Sequence, residues 1–154
     1  MACQPAMKRV PQEKAAAFAA SFRALRAILA PYVRKRMRAV HDTTELYYIE
    51  TSFPAFRGKP AMFGAVRKGK AYVSFHLMPL YLNPALASGI SADLKKRKQG
   101  KTCFNFENPD KKLFAELARL TKRSFEYFRK IGPNPHYSRK WKAEELFCES
   151  ETKM

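Results

Sequence analysis

The sequence predicts an α+β fold: a two-layer sandwich whose antiparallel (or mixed) sheet carries an N-terminal and a C-terminal helix on one face. Three observations predict it. Apolar stripes at helical spacing lie near both ends of the chain. Between them run short segments that alternate with a period of two and are joined by tight turns, and such segregated strands pair antiparallel. The 154 residues are 46% apolar, with 12 Phe and 7 Tyr, enough for one real core and far from a disordered composition.

Residues 12–30 carry Phe18, Phe22, Leu25 and Leu29 on one stripe with Ile28 beside it, and Pro31 ends or kinks this first helix. Val33 to His41 reads either as a second short helix or as a basic strand that turns through Asp42-Thr43-Thr44 into Leu46–Thr51; the β-branched and aromatic second run favours the hairpin. After a proline-punctuated loop, 52–60, Met62 to Lys68 is a strand, with Gly69 placed for a hairpin into the central strand. In that strand Val73, Phe75 and Leu77 form an apolar row, while Tyr72, Ser74, His76 and Met78 form the opposite row. Met78-Pro79 ends it. Asn83-Pro84 reads as a capped helical turn broken at Gly89, and Ser91 as the cap of a short helix reaching Lys98 or Gln99, closed by a left-handed Gly100. Thr102 to Phe106 is a further strand. Asn108-Pro109 opens the strongest helix, striped by Leu113, Leu117, Leu120 and Phe128 and widened by Phe114 and Phe125, with Gly132 as its stop. The domain therefore spans 12–131, preceded by an extension, 1–11, and followed by a tail, 132–154, in which Trp141 to Cys148 forms one last short helix.

Thirty Lys and Arg against thirteen Asp and Glu give a net charge of +17. The tail has four of each sign, so residues 1–131 carry the whole excess. A field of that sign attracts phosphates, acidic proteins or anionic surfaces; solubility alone needs far less charge. Cys3, Cys103 and Cys148 are widely spaced and lack metal-ligand spacing, which suits reduced thiols in a cytoplasmic protein and predicts no metal centre. The longest apolar runs fall short of a membrane span, and the basic, alanine-rich start reads as an ordinary helix rather than a targeting segment.

Three stretches, Phe53–Pro60 (FPAFRGKP), Tyr72–Tyr81 (YVSFHLMPLY) and Gln99–Phe106 (QGKTCFNF), with the helix opening at Pro109, resemble the YdhG-like family. The resemblance covers roughly residues 18–130. It implies a bacterial, frataxin-like domain with two helices on an antiparallel sheet. The family is one of unknown function, and one member is described as an iron chaperone. An iron site of that kind calls for carboxylates, whereas residues 1–41 hold one acid, Glu13, among nine basic residues.

Three sets of residues are candidates for a site. Gly100-Lys101 with Arg57 and Lys59 would form an anion pocket, because a glycine lets backbone N–H groups approach a phosphate or carboxylate and the cations add charge; the alternative is a helix C-cap with a solvated lysine. His76, with Tyr72, Tyr81 and Asn105 nearby, offers a proton-transfer group, or else a satisfied histidine on a partly covered strand face. Arg34, Lys35, Arg36 and Arg38 with Lys95, Lys96, Arg97 and Lys98 are basic runs of the type that meets nucleic acid, or else two solvated faces. The combined expectation is a small non-enzymatic binding protein, without a cofactor, for an anionic small molecule or acidic partner. Nucleic-acid binding is the first alternative and a frataxin-like iron chaperone the second. An edge strand offers a route to a homodimer.

Overall fold

A computed structural model of the chain describes residues 12–52 and 59–131, apart from the side chain of Ile131. The first helix, α1, spans Gln12–Leu29, and Pro31 is accommodated in a 3-10 turn, Ala30–Arg34, because the first helical positions need no N–H donor. The chain then enters β1, Met37–Asp42, through Arg36, which stands in the left-handed region at φ 67°. The hairpin reading of this basic stretch holds. Its turn to β2, Leu46–Thr51, is fixed by the Thr43 hydroxyl, which accepts from the N–H groups of Glu45 and Leu46.

Strands β3, Met62–Lys68, and β4, Val73–Leu77, follow as expected, and the Gly69 N–H bonds the Tyr72 carbonyl across their turn. Beyond Met78 the chain forms one turn of helix, α2, Pro79–Leu82, and a 3-10 turn, Pro84–Ala87, at which the Asn83 side chain makes no capping bond. Helix α3, Ala92–Arg97, is capped by Ser91, whose hydroxyl accepts from the Leu94 N–H. The helix falls short of Lys98 or Gln99, the end expected from the sequence. The helix stops at Arg97, Lys98 is already extended, and Lys98–Gln99 forms a short strand, β5. Gly100 is left-handed as expected, at φ 66°, but it turns β5 into β6, Cys103–Phe106, instead of closing a helix. Helix α4, Lys111–Ile131, begins later than Pro109, with the Asp110 carboxylate accepting from the Leu113 N–H.

The six strands form one antiparallel sheet in the order β1-β2-β3-β4-β6-β5. The α+β sandwich expected from the sequence is present. The apolar row of β4, together with Phe63, Val66, Phe104 and Phe106, meets the stripes of α1 and α4 in one core. Phe63 occupies the β2–β3 irregularity and packs its ring between those of Tyr32, Phe125 and Phe128, at centroid distances of 5.5–5.9 Å. Helix α1 approaches the sheet over Gly64, where a Cβ would lie 2.9 Å from Leu29 Cδ2. The span from Gln12 to Arg34 is apolar and long enough to cross a bilayer on length and composition, but Phe18, Phe22, Leu25 and Leu29 are all used in this core. The expected helix at 141–148 and the stop at Gly132 lie outside the described residues.

Candidate functional site

Alternation along β4 sends Ser74 and His76 to the sheet face opposite the α1–α4 core. Ala65 of β3 and Cys103 of β6 flank His76, and Arg67 and Asn105 flank Ser74. This second face is closed as well. His76 is 2% exposed, and Ser74, Cys103 and Asn105 are all buried. The Asn105 side-chain oxygen accepts from the Ser74 hydroxyl at 2.8 Å and from the Cys103 thiol at 3.2 Å, while its amide donates to Gln99 Oε1 at 2.6 Å. His76 Nε2 lies 3.9 Å from Cys103 Sγ. Met62 and Met78 pack beside the group with Ala65, Tyr48 and Tyr81.

Cysteine, histidine and asparagine are the side chains of a thiol hydrolase, but their protonation states run the wrong way for that chemistry. A nucleophilic pair needs a thiolate beside an imidazolium. Burial pushes the Cys103 thiol up to about 11, with Ser74 offsetting part of the rise. Burial, and then Arg67, lowers His76 to about 4. Both groups are neutral at pH 7.

The anion set divides. Arg57 lies outside the described residues. Lys59 is exposed shortly before β3. Lys101 is exposed at the β5–β6 turn and lays its Nζ 4.9 Å from the Tyr81 ring centre, a cation–π contact. Tyr72 is 41% exposed at the opposite end of β4 from Tyr81. So the structure joins His76 to Asn105 through Cys103, and Lys101 to Tyr81, while Tyr72 stands apart from both.

The two basic runs are separated by the sheet. Arg34, Lys35, Arg36 and Arg38 lie at the β1 edge, and Lys95 to Lys98 at the β5 edge. Five strand spacings put them about 24 Å apart. In the first set Lys35 lies over the rings of Tyr32 and Phe125, at 5.6 and 6.0 Å, and Arg38 pairs with Glu50 at 2.6 Å. In the second set Lys96 and Arg97 turn toward the start of α4. There they line an open cleft of about 420 Å³ with Asp93, Asp110, Lys112 and Leu113.

The position of α3 relative to α4 sets the shape of this cleft. Glu116 of α4 accepts from both the backbone N–H and the hydroxyl of Ser91, at 2.6 and 2.7 Å. Burial alone would raise the Glu116 pKa; the two Ser91 bonds, with Arg119 and Arg123, hold it below the usual carboxylate value. The two aspartates of the lining already have structural roles: Asp93 faces Lys96 at 3.9 Å and Asp110 caps α4. Sequence reasoning found Lys96 and Arg97 but missed Lys112, because nothing local says that the first turn of α4 meets α3. It also missed the Cys103–His76 contact, which depends on strand register.

The described residues hold 23 of the 30 basic residues and 9 of the 13 acids. The described segment therefore carries a net excess of 14 positive charges. No family model matches the chain, and neither any curated protein nor any solved structure shows significant similarity to it.

Proposed function

We propose that this is a non-enzymatic binding protein of the YdhG-like type, and that it holds an anionic ligand in the cleft between α3 and α4. The observation that carries the reading is the convergence of Lys96, Arg97 and Lys112 on one space of about 420 Å³. That volume falls within the range of about 300–1,000 Å³ typical of small-molecule sites. An Arg with two Lys is the donor set that recognises phosphate or carboxylate groups, Arg through its planar fork and Lys as a point charge. Glu116 and Ser91 brace the walls, so the cations are presented by packed helices. The neutral, buried Cys103–His76 pair argues against thiolate catalysis on the second sheet face.

The separation of the two basic runs across the sheet favours a local anion site over a continuous nucleic-acid track. Titration calorimetry with pyrophosphate and with ADP tests the reading. Lys112→Ala and Arg97→Ala should each weaken binding at least about fivefold, in line with the loss of one charge-assisted contact. Unchanged affinity in both variants, or no binding of either probe, would sink it. Tight binding of a single-stranded oligonucleotide with a steep loss in salt would favour the nucleic-acid alternative.

A further inference from the structure

The buried cluster on the second sheet face has no part in anion binding at the cleft, and its donor atoms suit a different ligand. We propose that Cys103 Sγ and His76 Nε2 form a site for a soft monovalent metal ion, cuprous copper in particular, between β4 and β6. Geometry is the first argument. The two donors lie 3.9 Å apart on directly paired residues of adjacent strands. Metal–sulfur and metal–nitrogen bonds of about 2.3 and 2.0 Å would put such donors about 3.5 Å apart at a tetrahedral centre and about 4.3 Å apart at a linear one. The observed separation corresponds to an angle of about 130° with those bond lengths. It lies between trigonal and linear, the low coordination that a monovalent d¹⁰ ion accepts.

Donor type is the second argument. Thiolate and thioether sulfur select cuprous copper over hard cations. The thioethers of Met62 and Met78 pack on this same face against Ala65, the cross-strand neighbour of His76. Charge is the third. A single thiolate neutralises one positive charge, so a monovalent ion leaves the buried site neutral. A divalent ion would leave the buried site with an uncompensated positive charge. The one carboxylate that β2 sends to this face, Glu50, is held by Arg38.

The binding step balances simply. The Cys103 thiol loses its proton to solvent, sulfur and the His76 nitrogen each donate an electron pair to the ion, and the metal keeps its oxidation state. Asn105 loses the thiol as a hydrogen-bond donor and keeps the Ser74 hydroxyl.

The test uses the full chain with Cys3→Ser and Cys148→Ser, so that Cys103 is the single thiol. Cuprous copper is supplied anaerobically and competed with bicinchoninate. One ion per chain should be retained. Cys103→Ser should weaken retention at least a hundredfold, with its thermal melt showing that it is folded. X-ray absorption at the copper edge should report both a sulfur and an imidazole donor. Copper freely stripped by the chelator, equal retention by folded Cys103→Ser, or a coordination shell without imidazole would each overturn the proposal.

Discussion

His76 makes the stability of this protein depend on pH in a calculable way. Its ordinary pKa of about 6.5 falls to about 4 in the folded state, because burial, and then Arg67, disfavours the imidazolium. Between those values the unfolded chain binds a proton that the folded chain refuses, so stability rises with pH across that window. As the pH falls below 7, the unfolded state gains. The contribution is about 2 kcal/mol of lost stability at pH 5 and about 3 kcal/mol at pH 4, and it levels off below that. Urea denaturation at pH 7, 6 and 5 measures it, comparing the natural chain with His76→Gln. Carboxylates titrate in both proteins and cancel in the difference. The natural chain should lose about 2 kcal/mol more than the variant between pH 7 and 5. Parallel pH profiles would refute the reasoning and mean that His76 charges freely in the folded protein.

Three further outcomes follow from packing and hydrogen bonding. Gly64→Ala should cost about 1–3 kcal/mol through overpacking, because the new methyl would lie 2.9 Å from Leu29 Cδ2 and 3.1 Å from the His76 carbonyl oxygen; an unchanged melting temperature would show that α1 can retreat freely. Asn105→Ala should cost about 1–3 kcal/mol, since Ser74, Cys103 and Gln99 all bond to that one side chain; denaturant melts of Asn105→Ala and Asn105→Asp would separate the lost bonds from lost volume. In the Cys3→Ser, Cys148→Ser background, Cys103 should react with a disulfide reagent at pH 8 at least about a hundredfold more slowly than a free cysteine, because little thiolate forms when burial holds the pKa at about 11; rapid reaction in the folded protein, as fast as in urea, would contradict that burial.

The sequence by itself determined what depends on neighbours along the chain. The stripe on α4 and the alternation on β4 declare their core faces through periods of 3.6 and 2, and every residue named for those faces is buried. The Ser91 cap, the turn at Gly69 and the left-handed Gly100 were also legible, because caps and turns are local chemistry. Only the tertiary structure decided the rest. A two-residue strand such as Lys98–Gln99 has no periodicity to read, so in the sequence β5 merges with α3 and Gly100 looks like a helix end. The polar row of β4 shows its residue types in the sequence but not its partners. Whether His76 meets Cys103, Phe104 or Asn105 depends on register, and a slip of one residue reverses every face. The cleft is the same case at larger scale: Lys96 and Lys112 are sixteen positions apart, and the Glu116–Ser91 contact that brings their helices together is a long-range hydrogen bond with no local signature.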